Sequence, residues 1–168
     1  MSAPLSFPRS VTGRLWAWRG GAGNCDDLTD QLLLARGCAP EALAAHRNPT
    51  IRDFMPDPSI FRDMDRAADR IAEAVRGQEK VTVFGDYDVD GATSAALLVR
   101  LLGDLGLHAD AYIPDRLMEG YGPSGEALVR LGQSGSTLIV TVDCGAQAFE
   151  ALAMARSAEV DVIVVDHH

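Results

Sequence analysis

Two hydrophobic rhythms divide the chain. Between Ser59 and Gly77, the residues Phe61, Met64, Ala68, Ile71 and Val75 recur every three or four positions, the spacing of a helix with one apolar face. This predicts a helix over 60–76, capped by Ser59 and stopped at Gly77. From Lys80 the rhythm changes to short, continuous apolar runs separated by longer helical stretches. Residues 81–84, 111–113, 138–142 and 162–165 read as strands, and 92–105, 125–133 and 147–156 as helices, the second of these capped by Ser124. The helix at 92–105 is apolar almost throughout as far as Val99, which predicts that it is buried. Strands without polar alternation, each separated from the next by a helix, predict an α/β fold. Its parallel sheet should be covered by helices on both faces.

Upstream the pattern is looser. Residues 1–25 are rich in Gly, Ser, Pro and Arg, with Trp16 and Trp18 set two apart, which suits a short strand or a docking arm. Residues 27–36 fit a short helix stopped by Gly37, and Pro49, Pro56 and Pro58 punctuate the irregular stretch after it. The expected organisation is an irregular, partly helical N-terminal arm and lead-in over 1–58, then one α/β domain over 59–168. The chain stops at a strand end, where such a domain ordinarily continues into a loop and a helix. The expectation is therefore an N-terminal piece of something longer.

Composition narrows the function classes. At 47% hydrophobic and 23% charged the chain is ordinary for a globular protein. Its formal net charge of -9 does not advertise a nucleic-acid binder, although a site that concentrates carboxylates and binds cations would itself account for part of that charge. Three cysteines, Cys25, Cys38 and Cys144, with no C-x-x-C pair, argue against a disulfide framework or a zinc knuckle. No apolar run approaches the roughly 18 residues of a membrane span, so no membrane partner is expected. The N-terminus lacks an apolar signal core, and the expected location is the cytoplasm.

The chemistry sits where strands end. The first runs into FGDYDVDG at 84–91, the third into VDCG at 142–145, and the fourth into Asp166, His167 and His168. In an open parallel sheet all strand C-termini face one rim, where ligands bind. Asp86, Asp88, Asp90, Asp143, Asp166 and two histidines would gather there. Each pair of carboxylates at about 4 Å costs on the order of 1 to 4 kcal/mol without cations. An oxygen-rich set with one or two imidazoles suits Mn²⁺ or Mg²⁺, and this many carboxylates suggest two ions sharing a bridging ligand. Single motifs have plainer readings. The loop at 86–91 matches half of an EF-hand, but the twelfth position is Leu97 rather than Glu. It also has features of haloacid-dehalogenase loops, but Ala92 follows the Gly and no lysine lies downstream of Lys80. An Asp-Gly turn is also ordinary on its own.

Taken together, FGDYDVDGATSAA, VDCG and DHH resemble the first three motifs of the DHH phosphoesterase superfamily. The segment IPDRLMEGYGPS at 113–124 is similar to the RecJ-type single-strand-specific DNA exonucleases rather than to family pyrophosphatases, and residues 10–79 share that resemblance more weakly. The resemblance implies a Mn²⁺- or Mg²⁺-dependent enzyme that degrades single-stranded DNA from the 5′ end by a two-metal mechanism, in DNA repair and recombination, with single-stranded DNA and possible repair proteins as partners. It implies Asp88, Asp90, Asp143 and His167 as metal ligands, with Asp86 as ligand or loop support. His168 would lie near the scissile phosphate. Asp166 would orient the histidines, and Gly91 would allow close approach at a helix N-terminus. Arg116 is the candidate phosphate contact, against an ion pair with Asp115 or Glu119, and Tyr121 is a candidate base-stacking residue, against simple packing.

Relatives of this type carry a fourth acidic motif and a second, glycine-rich domain, so the expectation is that this stretch alone turns over little. The alternatives are another DHH phosphoesterase acting on oligonucleotides, cyclic dinucleotides or pyrophosphate, or a non-catalytic metal- or partner-binding module. Sequence leaves strand order and oligomeric state open.

Overall fold

The structure, a computed structural model, describes residues 9–15 and 27–168. Trp16, Trp18 and Cys25 lie outside the described residues. The chain divides into two compact units, Met1–Ile60 and Phe61–His168. In the first, the Asp27 side chain caps α1 (Leu28–Ala35) by accepting the Thr29 and Asp30 N–H groups, and Gly37 follows with a positive φ of 88°. A 3₁₀ turn (Pro40–Ala42), α2 (Leu43–Arg47) and α3 (Ile51–Phe54) come next, and Arg47 ties α2 to α1 by pairing with Asp27 and Asp30.

The second unit opens with α4 (Met64–Gly77), four residues later than predicted. Ser59 does not cap it, because Asp57 accepts the Ser59 N–H and Pro58–Ile60 closes a separate 3₁₀ turn. Phe61 consequently stays off the helix and exposed. Then come β1 (Val81–Gly85), α5 (Val89–Asp104), β2 (Ala109–Tyr112), α6 (Gly125–Gln133), β3 (Leu138–Val142), α7 (Phe149–Ser157) and β4 (Asp161–Val165). β2 begins two residues before the predicted strand and ends one residue earlier, at Tyr112. Ser124 caps α6 as predicted, accepting the Ala127 N–H at 3.1 Å.

Within this sheet the pairings are parallel and the strand order is β2-β1-β3-β4. The chain leaves β1 for one edge, returns across it, and continues to the other, so β1 and β3 flank the point where the winding reverses. That is where an open α/β sheet leaves a crevice beyond its strand ends. Alternate residues serve the two faces. Val81, Val83, Leu138, Val140 and Val142 pack with Ala74 of α4 and with Ala95 and Leu102 of α5. Phe84 and Ile139 pack with Ala127 and Leu128 of α6 and with Ala151 and Ala155 of α7. The sheet is thus covered on both faces.

The burial expected of α5 is corrected as well. α5 is not buried throughout: only Gly91, Ala95 and Leu102 are, while Leu97 and Leu101 are exposed. A helix on a sheet offers one face in 3.6 residues per turn, and continuous apolarity cannot change that geometry. Among the described residues no helix is long and apolar enough to cross a membrane.

At the end of the sheet remote from the β1 and β3 loops, Arg70 on α4 makes a forked pair with Glu79 at 2.8 and 3.1 Å and reaches Asp161 at 2.7 Å. Thr137 also donates to Glu79, at 2.5 Å. This cluster ties α4 to the starts of β1, β3 and β4.

Candidate metal centre

Three loops meet because three strands end in register. Gly85 pairs with Val142 and Val142 with Val165, so the next residues, Asp86, Asp143 and Asp166, leave the sheet at one level. Asp86 is buried beneath the first loop. Gly91 lies over it so closely that a Cβ there would stand 2.5 Å from the Asp86 N and O atoms. Asp88 accepts the Gly91 N–H at 3.0 Å and so caps α5. Asp143 adopts a left-handed backbone, φ 61°, which Asp tolerates better than most side chains. Its N–H donates to Val165 O at 2.8 Å.

Two groups of metal-ligating atoms result, each with all its members within 4.8 Å of one another: Asp86, Asp88 and Asp143, and Asp143, His167 and His168. Asp143 belongs to both. His167 Nε2 lies 3.0 Å from Asp143 Oδ1, and the two imidazoles stack at 4.4 Å between centroids. Asp166 Oδ1 accepts the His167 and His168 N–H groups and contacts His168 Nδ1 at 2.7 Å, while Oδ2 accepts the Ala146 N–H. Asp166 therefore orients His168, and Asp143 engages His167. Asp90 sits exposed on the first turn of α5, outside both groups.

The electrostatics fit a cation. Asp86 Oδ1 is buried with no hydrogen-bond partner, an expensive state for a carboxylate oxygen. Burial first, and then the neighbouring Asp88 charge, raise the Asp143 carboxyl, while the Gly91 N–H foremost holds Asp88 down. Burial opposes ionisation of Asp166, but the Ala146 N–H, then the His168 N–H and ring, prevail and bring it to about 2. Bonding to Asp166 raises His168. Burial, helped by the surrounding carboxylates, pushes the Cys144 thiol up to about 12, as suits a packing residue.

The remaining predicted residues lie on the β2–α6 loop. Arg116 pairs with neither Asp115 nor Glu119; its guanidinium lies over the Tyr87 ring, 5.1 Å from the centroid. Tyr121 is 57% exposed, and its hydroxyl donates to Asp143 O at 3.4 Å and meets His168 Nδ1 at 3.2 Å. Two residues beside the site were given no part in it by sequence. Tyr87, between two candidate ligands, supports Arg116 and meets Tyr121 edge-on at 6.5 Å. Glu119 bonds Tyr112 and Arg130. The placement of Tyr87 inside the Asp-rich loop was the available signal for it; nothing local marked the partners of Glu119.

The DHH family, N-terminal domain, matches residues 80–168. The single-stranded-DNA-specific exonuclease RecJ of Bacillus subtilis is 44% identical over 142 residues, covering 84% of this chain and 18% of the relative. RecJ of Thermus thermophilus is 36% identical over 143 residues, covering 82% and 21%. A crystal structure of exonuclease RecJ bound to manganese superposes with a TM-score of 0.59 at 42% identity, covering 64% of this chain and 28% of that one. The Mn²⁺ complex of RecJ from Thermus thermophilus gives 0.58 at 33%, covering 77% and 19%. The chain thus spans about a fifth of the length of the curated relatives it matches. A family match over more than half its residues, on a sheet whose strand ends carry all three motifs, means that the chain belongs to the DHH family, with RecJ proteins among its relatives in sequence and in fold.

Proposed function

We propose that this chain forms the metal-binding part of a two-metal phosphodiesterase that hydrolyses single-stranded DNA from its 5′ end. The observation that carries the reading is Asp143, shared between two ligand groups beside the unpartnered Asp86 oxygen. Relatives named as single-stranded-DNA-specific exonucleases, and RecJ structures holding Mn²⁺, support the substrate and the ions. Asp86, Asp88, Asp143 and His167 would hold Mn²⁺ or Mg²⁺, and Asp90, outside both groups, would have to turn in from the first turn of α5 to join them. Bound there, two ions supply positive charge for the phosphoryl oxygens and activate the attacking water.

The chain's own groups do the positioning. Asp166 engages Nδ1 of His168, which fixes that ring and leaves Nε2 to face a phosphate. Gly91 keeps the start of α5 close to the loop, so the helix N-terminus favours an anion. Arg116, held over Tyr87, would contact a phosphate oxygen, and the exposed Tyr121 would stack on a base. Bacterial relatives share one compartment between DNA and cytoplasm, so the proposal extends to a cytoplasmic role in DNA repair and recombination, with repair proteins as partners. Residues 1–58 would be the lead-in and 59–168 the DHH domain.

The test combines Mn²⁺ calorimetry on the parent and Asp143→Asn with a hydrolysis panel of long single strands, dinucleotides and pyrophosphate. Mn²⁺ binding should be lost in the variant; this stretch alone should turn over little, and the panel run on a protein of the relatives' full length should show the fastest turnover on single strands. Preference for pyrophosphate or dinucleotides would shift the chain to another DHH phosphoesterase. Equal Mn²⁺ affinity in both proteins would remove Asp143 from the site.

A further inference from the structure

We propose that Glu119 is a positioning residue that holds the β2–α6 loop, with Tyr121 and Arg116, against the metal centre. The inference rests on the metal-dependent reading of that centre. Among the described residues the loop has few bonds of its own: the Met118 and Glu119 N–H groups donate to Asp115 O, and Asp115 Oδ1 accepts the Leu117 and Met118 N–H groups. These bonds close a turn but anchor nothing to the sheet. Gly120 and Gly122, with φ of 79° and 73°, flank Tyr121 and leave its backbone easily turned.

Glu119 supplies the anchor. Its carboxylate accepts the Tyr112 hydroxyl at 2.6 and 2.8 Å, the Asp115 N–H at 3.2 Å and Arg130 Nη2 at 3.2 Å. Arg130 Nη2 also donates to the Tyr112 oxygen at 2.5 Å. One side chain, two residues before Tyr121, thus ties the loop to the last residue of β2 and to α6. Tyr112 packs on the buried Phe84 ring at 5.2 Å, so the anchor reaches the core. A carboxylate with this many donors is ordered, and the order passes through one glycine to Tyr121, whose hydroxyl reaches Asp143 and His168.

The chain has three tyrosines, Tyr87, Tyr112 and Tyr121, so 3-fluorotyrosine labelling gives a resolved fluorine probe at each end of the device. Mn²⁺ added to the parent should broaden the Tyr87 and Tyr121 resonances. In Glu119→Ala and in Tyr112→Phe, which keeps the packing on Phe84, broadening at Tyr121 should fall about threefold as the loop populates further states. Mn²⁺ affinity should stay within about twofold, because the variants leave every proposed ligand side chain in place. Tyr87 broadening should persist. Glu119→Gln keeps an acceptor for Tyr112 and Asp115 and should restore the parent pattern. Unchanged Tyr121 broadening in both Glu119→Ala and Tyr112→Phe would overturn the proposal, and Tyr112→Phe decides it if the alanine variant does not fold. A parent that neither binds Mn²⁺ nor shows broadening at Tyr87 would overturn the metal-centre reading itself, a separate result.

Discussion

Gly91 shows how much one absent methyl group can carry. The sequence marks it as a residue for close approach at the start of a helix. The structure adds what approaches: not a ligand but the backbone of Asp86, 2.5 Å from where a Cβ would stand. Backbone cannot yield as a flexible side-chain tip can, so Gly91→Ala should cost about 1–3 kcal/mol as an overpacked site. Urea unfolding of the apo protein measures this, and the idea fails if the midpoint is unchanged. At the same scale, Asp88 and Asp90 look alike in sequence but differ in place, one within a ligand group and one exposed outside both. Period and spacing bring a residue to a loop; the direction of its side chain depends on the turn beyond it. Arg116 teaches the same lesson. Its partner is an aromatic face on another loop, which no local pattern could announce.

Elements were legible where the hydrophobic period was strong and its boundary chemically marked. Ser124 and the nine residues after it form the predicted helix because a cap and an amphipathic run agree. Ser59 misled because Asp57 and Pro58 made a local turn first. α5 misled in another way, since apolar content was read as burial when only one helical face meets the sheet. Its N-terminus gives a clean separation of roles. Asp88 caps the helix and belongs to a ligand group, and Asn caps about as well as Asp. Asp88→Asn should therefore keep apo stability and lose Mn²⁺ affinity, whereas Asp88→Ala should lose both, with about 1 kcal/mol of helix stability. Paired thermal melts and calorimetry distinguish the two, and equal melts for Asn and Ala would refute the cap.

The Arg70 cluster belongs to this scale too, because it joins elements. Arg70 and Glu79 are each about a quarter exposed, so Arg70→Ala should cost about 1–3 kcal/mol, between the values for surface and for buried pairs. Bonding to Arg70 first, and then to Thr137, holds the Glu79 carboxyl below its ordinary 4.5. A lowered carboxylate contributes stability above its unfolded value and loses it in acid. As pH falls below 4.5, the parent should therefore lose stability more steeply than Glu79→Gln in parallel urea titrations. Identical slopes would show the pair to be energetically silent.

For the whole molecule, strand order was beyond sequence reading, because nothing in an apolar run names its neighbour. The winding from β1 out to β2 and back to β3 emerges only from pairing. The meeting of the three Asp-bearing loops was nonetheless visible, since Asp86, Asp143 and Asp166 each follow directly on a strand and parallel strands share one rim. Metal and fold should accordingly be linked. At a Mn²⁺ concentration about 100 times its Kd, each occupied site should add about 2.7 kcal/mol to stability, and a chelator should remove it. Calorimetric scans with and without Mn²⁺ read the shift, which should be absent in Asp143→Asn.

The register between β3 and β4 gives this linkage a harder edge. Val142 opposite Val165 is what sets Asp143 and His167 3.0 Å apart. One residue of slip would move one strand by about 3.3 Å against the other and turn its side chains to the opposite face. Asp143 and His167 would then no longer converge on one point. On the proposed reading the sheet works as a vernier, and metal affinity would gauge its alignment: a mispaired or strand-exchanged chain would keep every proposed ligand and still be blind to manganese.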